Sequence, residues 1–161
     1  MVAVLTHALC LIRREVFGRP CDADALATLA LYHDASEILT GDLPTPIKYH
    51  DTNIRTAYKQ VEQSACQRLL GTLPTELQGA YREILIPRAG EYGEKLIKAA
   101  DKLAALIKCI EERKAGNLEF TSAEAQTRRT LEQMHMPEVD YFLEKLLMAF
   151  ECNLDELERI D

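Results

Sequence analysis

The stretch Ala25-Leu26-Ala27-Thr28-Leu29-Ala30-Leu31-Tyr32-His33-Asp34-Ala35-Ser36-Glu37 is strongly apolar up to Leu31 and then delivers an adjacent His and Asp. A neutral imidazole and a carboxylate both ligate divalent transition metals. Apolar surroundings make an unpaired carboxylate costly, so Asp34 is expected to face a cation or strong donors. Glu37 follows three residues after Asp34 and four after His33, one helical turn on. Turn-rich Gly41-Asp42-Leu43-Pro44-Thr45-Pro46 comes next. The pattern predicts a helix that presents ligands at its C-terminal end, followed by a rigid loop.

The flanking sequence reads as further helices. Residues 1–16 are apolar with a polar end at Arg13-Arg14-Glu15, and Gly18-Arg19-Pro20 breaks them. Asp22 or Asp24 is a candidate cap for a second helix running to about residue 40, with Gly41 as its stop. Helices are expected near 52–71, 75–86 and 92–115, the last stopped by Gly116-Asn117. Thr121-Ser122-Ala123-Glu124 has the form of a capping box. Pro137 opens a helix to about Phe150, and Leu154–Ile160 is a weak acidic tail helix. No stretch sustains two-residue alternation, so no sheet is expected. The fold class is all-α, and 161 residues without a linker are expected to form one domain.

An apolar share of 47% with 28% charged residues is ordinary for a globular chain. A net charge of −7 without a basic run argues against nucleic-acid binding. A bound metal can still invert the local field for a small anionic substrate. Cys10, Cys21, Cys66, Cys109 and Cys152 are scattered and odd in number, which fits reduced thiols in a cytoplasmic protein. The apolar start, Met1 to Ile12, is too short to span a bilayer and lacks the features of a signal peptide. It also opens inside an apolar run with no capping residue before Val2, which leads to the expectation that a segment precedes it.

Asp101 is the second feature that carries chemistry. It lies mid-helix, where it cannot cap, inside a stripe through Ile97, Ala100, Ala104 and Ile107. Such an Asp either pairs with a Lys or Arg of a neighbouring helix or ligates a cation. Together with His33 and Asp34 it favours a metal. His7, among Leu5, Ala8 and Leu9, reads as a packed histidine, and His50 and His135 as solvated ones. Taken alone, Glu37 and Asp42 could be a surface acid and a turn residue. The run Arg55 to Arg68 reads as ordinary helix surface. The stripe Tyr141-Phe142-Leu146-Leu147-Phe150 reads as core or a subunit interface.

Tyr32-His33-Asp34-Ala35-Ser36-Glu37, followed by Leu39-Thr40-Gly41-Asp42-Leu43-Pro44-Thr45-Pro46-Ile47-Lys48-Tyr49, resembles the signature of the HD-domain metal-dependent phosphohydrolases, within them the bacterial 5′-deoxynucleotidases. Ala100-Asp101, Lys108-Cys109, Gly116-Asn117 and Asp140-Tyr141-Phe142 extend the similarity over essentially the whole chain. An HD pair alone is unspecific, whereas the longer string is not. The resemblance implies a helical bundle, a homodimer and one divalent metal ion (Mn, Co, Fe, Zn or Cu). It makes His33, Asp34 and Asp101 metal ligands that converge on a common point. Glu37 and Asp42 match the residues that handle the attacking water and the leaving group. Asp42, Leu43, Pro44 and Thr45, with Asp34 and Asp101, match substrate contacts.

The resemblance also marks a departure. The family's first metal-ligating His, and an Arg and a Trp that contact phosphate and sugar, align before Met1, and this chain has no Trp. His7 is no substitute, because it lies about nine residues past the expected ligand, roughly two and a half turns on and on another face. The sequence is thus expected to be either a fragment that starts inside the family's first helix or a natural variant with an impaired site, and the intact remainder of the signature favours the fragment. The implied reaction is hydrolysis of deoxyribonucleoside 5′-monophosphates. The alternatives are an HD phosphohydrolase for another nucleotide, or a helical scaffold without catalysis.

Overall fold

The computed structural model describes residues 1–42, 51–86 and 90–157. Among the described residues every regular element is helical, as the absence of alternation required. The helices are α1 (Val2–Leu11), α2 (Ala23–Leu31), α3 (Glu37–Thr40), α4 (Thr52–Gly71), α5 (Thr75–Leu85), α6 (Gly90–Lys114), α7 (Thr121–Glu132), α8 (Pro137–Lys145), α9 (Met148–Glu151) and α10 (Leu154–Leu157). Two compact units result, one of Met1–Ala27 with Gly90–Asp161, the other Thr28–Ala89.

The first unit is organised by α6. Leu96, Ala99, Ala100, Leu103, Leu106, Ile107 and Ile110 recur at helical spacing and are all buried. Leu5, Leu9 and Cys10 of α1 join them, with Leu131, Met136, Val139, Phe142 and Leu147 from the C-terminal helices. A fully buried Leu contributes about 1.5–3 kcal/mol, against about 0–1 for an exposed ion pair, so this stripe dominates the unit's stability. In the aromatic stripe near the C-terminus Phe142 and Leu147 are buried in the core, Tyr141 and Phe150 pack partly against it, and Leu146 is exposed.

A buried charge cluster interrupts the apolar packing. Glu138 of α8 is fully buried; Arg13 Nη1 donates to its Oε1 at 2.7 Å and the Tyr92 hydroxyl to its Oε2 at 2.8 Å. Arg13 also lies over the Tyr92 ring, 3.9 Å from its centroid. Arg13 lies in the wide π turn that ends α1, Ile12–Val16, with Phe17 N–H bonded to the Ile12 carbonyl at 3.3 Å. Burial alone lowers the Arg13 pKa, but the bond to Glu138 and its charge raise it overall.

Three boundaries differ from the sequence expectation. The second helix does not run to residue 40 but stops at Leu31, and Asp22 is its cap, accepting from Ala25 N at 3.0 Å. The expected helix to Phe150 stops at Lys145, because the Phe142 carbonyl takes both Leu146 N at 2.9 Å and Leu147 N at 3.0 Å. The capping box at Thr121–Glu124 does not form. A short 3₁₀ turn, Leu118–Phe120, runs directly into α7, so Thr121 is already helical and Glu124 turns to Arg113 instead, at 2.8 Å. The reciprocal box is found at Asn153 and Glu156: Glu156 N donates to Asn153 Oδ1 at 3.0 Å and Asn153 N to Glu156 Oε2 at 2.8 Å. The tail helix is described only to Leu157.

In the second unit α4 starts on Asp51, whose Oδ1 accepts from Asn53 N at 2.6 Å and Ile54 N at 2.9 Å. It packs against α3 and α5. Tyr32 and Tyr81 meet edge to face, ring centroids 6.1 Å apart. The expected Pro44–Pro46 loop and His50 lie outside the described residues.

Candidate active site

The site begins where α2 ends. In a continued helix the Ala30 carbonyl would accept from the Asp34 N–H. Here His33 Nδ1 takes that carbonyl at 2.8 Å, and the chain tightens into three-residue turns, with Ala35 N on Tyr32 O at 3.0 Å and Glu37 N on Asp34 O at 2.9 Å. A carbonyl only accepts, so Nδ1 carries the proton. Nε2 lies 2.9 Å from Asp34 Oδ2, the spacing of an N–H···O bond when the ring is protonated and of two neighbouring ligands when it is neutral. A backbone-anchored imidazole beside a carboxylate is the usual arrangement of a metal-ligating His. The residues thus fit a divalent cation.

The burial differs from the expectation. The His33 side chain is 22% exposed, but Asp34 is 57% exposed, so its carboxylate faces solvent rather than apolar walls. Glu37 is half-buried at the start of α3. Asp42 is exposed and follows Gly41, which ends α3 at φ 69°. Leu43, Pro44 and Thr45 lie outside the described residues.

His33, Asp34, Glu37 and Asp42 belong to the second unit, and Asp101 to the first. Asp101 is not inside the buried stripe of α6. Ala100 is buried and Asp101, one step round the helix, is exposed. Among the described residues, neither unit gathers three or more His, Cys, Asp or Glu side chains as a metal cluster by itself. His7 is also not packed; it is half-exposed, with Nε2 3.6 Å from Asp24 Oδ1. His135 is exposed as expected.

One residue near the site was not legible in sequence. Tyr58, within the run read as plain helix surface, donates from its hydroxyl to the Gly41 carbonyl at 3.0 Å. The hint was an aromatic residue with a polar tip on an otherwise polar helix.

A 5′-deoxynucleotidase of Photorhabdus laumondii is 46% identical over 157 residues, 97% of this chain and 80% of that protein. One of Vibrio vulnificus is 45% identical over 157 residues, with 97% and 81% covered. The crystal structure of an HD-domain phosphohydrolase from Listeria innocua superposes with a TM-score of 0.75 at 27% identity, over 98% of this chain and 76% of that one. The all-α architecture is thus the helical HD fold. Residues 1–150 match the model of the YfbR-like 5′-deoxynucleotidases, and the chain belongs to that family.

Proposed function

We propose that this chain is a phosphoric monoester hydrolase that splits deoxyribonucleoside 5′-monophosphates into the deoxynucleoside and inorganic phosphate. Family membership supports the reaction. The observation that carries the chemistry is the orientation of His33, with Nδ1 committed to Ala30 and Nε2 turned to Asp34. In this reading His33, Asp34 and Asp101 hold one divalent ion, whose identity within Mn, Co, Fe, Zn and Cu the donor set leaves open. Bound there, the ion supplies positive charge to the phosphoryl oxygens and lowers the pKa of water.

The remaining work falls to the chain's own carboxylates. Glu37 opens α3, one three-residue turn after Asp34 and half-covered, so it is suited to take a proton from water or return one to the departing 5′ oxygen. Asp42, on the far side of the Gly41 turn, takes the complementary role. The segment Asp42, Leu43, Pro44 and Thr45 contacts the substrate, with Asp34 and Asp101. The chain acts as one HD domain. It works in the cytoplasm, which its free thiols suit, and as a homodimer.

Phosphate release from deoxyribonucleoside 5′-monophosphates, ribonucleoside 5′-monophosphates and deoxyribonucleoside 3′-monophosphates tests the reading, each before and after chelation. Release from the first alone, lost on chelation and restored by added metal, is expected. Equal release from the ribonucleotides would assign another nucleotide range, and no release from any would leave a scaffold.

A further inference from the structure

Gly41 separates α3, with Glu37 at its start, from Asp42. Its φ of 69° and ψ of 167° lie where L side chains are strained, and a Cβ built on it meets nothing within 4 Å. Backbone angle rather than space therefore requires glycine here. The Gly41 carbonyl and the Asp42 N–H belong to one planar peptide unit. Whatever fixes that oxygen fixes the plane and the Asp42 Cα in it, which leaves rotation about the Asp42 N–Cα bond as the one backbone freedom that aims its side chain.

Two groups fix it. The Tyr58 hydroxyl, from α4, donates to the Gly41 carbonyl at 3.0 Å. Thr40 Oγ1 lies 3.0 Å from the same oxygen, 3.3 Å from the Ser36 carbonyl and 3.5 Å from the Tyr58 hydroxyl. A 20-residue helix is a stiffer anchor than the four residues of α3, so the tyrosine is the member that ties the turn to a rigid element.

We propose that Tyr58 is a positioning residue for Asp42, holding the Gly41–Asp42 peptide so that the carboxylate points at the reacting phosphate. The proposal rests on the reading of Asp42 as a group that acts on water or leaving group. Small misplacements of an acid or base are costly, with about 1 Å worth up to ~10²-fold in rate. A tyrosine that merely fastened α3 to α4 would change stability and leave kcat alone.

The test is a double-mutant cycle of Tyr58→Phe and Asp42→Asn on the full chain. Metal content, melting temperature, kcat and KM would be measured for each protein on a deoxyribonucleoside 5′-monophosphate. Tyr58→Phe is expected to lower kcat by about 10- to 100-fold with metal content unchanged. In the Asp42→Asn background it is expected to cause no further loss, because the group it positions is gone. Losses that multiply, or full kcat in Tyr58→Phe beside an impaired Asp42→Asn, would overturn the positioning role alone. Full activity in Asp42→Asn would overturn the reading of Asp42 and the proposal with it. If Tyr58→Phe also lowers the melting temperature, Thr40→Val, which frees the same carbonyl from its other side, must reproduce the non-additive loss of kcat for the proposal to stand.

Discussion

His33 Nε2 lies 2.9 Å from Asp34 Oδ2 while Nδ1 is held by the Ala30 carbonyl at 2.8 Å. The imidazole takes the carbonyl that Asp34 N–H would use in a longer helix, and its other nitrogen meets the neighbouring carboxylate. The end of α2 and the pairing of His33 with Asp34 thus share one side chain.

Asp34 and Glu37 are expected to separate on substitution. Asp34→Ala removes the carboxylate beside His33 Nε2 and should abolish metal binding. Glu37→Ala should keep its metal and lose turnover by about 10²–10⁴-fold, the usual range for an acid or base. Metal per chain, measured beside phosphate release, checks both. Complete metal loss in Glu37→Ala would make Glu37 a ligand and require new roles for the carboxylates.

Glu138 carries a different kind of prediction. Its carboxylate is fully buried between Arg13 and Tyr92. Removing one partner of a buried ion pair leaves the other charge uncompensated, at about 3–5 kcal/mol. Glu138→Ala is therefore expected to lose that much in urea unfolding. Tyr92→Phe, which deletes one hydrogen bond to a charged group, should lose about 1.5–3 kcal/mol. A Glu138→Ala protein within 1 kcal/mol of the parent would contradict this account of the cluster.

Helices stabilised by their own pattern and punctuation were legible in the sequence. The expected 52–71 matches α4, and the expected 92–115 falls within two residues of α6. What escaped depends on side chains meeting across distance. Nothing in the apolar run before His33 announces that the imidazole will capture the Ala30 carbonyl. Helical periodicity places Asp101 beside Ala100 but cannot say which of them marks the edge of the buried stripe. Glu138 reads as an ordinary first-turn acid after Pro137 until Arg13, 125 residues earlier, reaches it. The family signature located His33, Asp34 and Glu37 in sequence, yet it carried no information about Tyr58.

The displaced capping box gives a test at the level of local structure. Thr121 donates from Oγ1 to the Leu118 carbonyl at 2.8 Å and caps nothing at the start of α7. Asn117 instead accepts from Glu119 N at 3.3 Å, opening the 3₁₀ turn, just past Gly116 at φ 91°. Its own N–H bonds to the Glu112 carbonyl at 2.9 Å while Gly116 N bonds to Arg113 O at 3.0 Å, the paired closure that ends α6. Gly116→Ala should therefore cost more stability than Thr121→Ala, which is expected to stay within about 0.5 kcal/mol of the parent. The reverse order in thermal melts would restore the box at Thr121.

Cys10 is expected to weaken the first unit at alkaline pH. Its thiol is fully buried among Leu5, Leu9 and the α6 stripe. Burial first, and then the neighbouring Cys21 thiol, push it far above its ordinary value of 9.0. The folded protein thus keeps a proton that the unfolded chain releases above about pH 9. Because the native state then binds more protons than the unfolded one, stability is full below that pH and declines as pH rises, by up to about 1.4 kcal/mol per pH unit for one group. Cys10→Ala removes the titrating thiol and leaves a small cavity, so it should melt somewhat lower than the parent at pH 7. Between pH 9 and 11 the parent is expected to lose stability faster, so that the two melting curves converge. Tyrosines and lysines titrate in both proteins over the same window, which makes the difference between the curves, rather than either slope, the quantity to measure. A constant gap from pH 7 to 11 would show that the buried thiol does not control the alkaline transition.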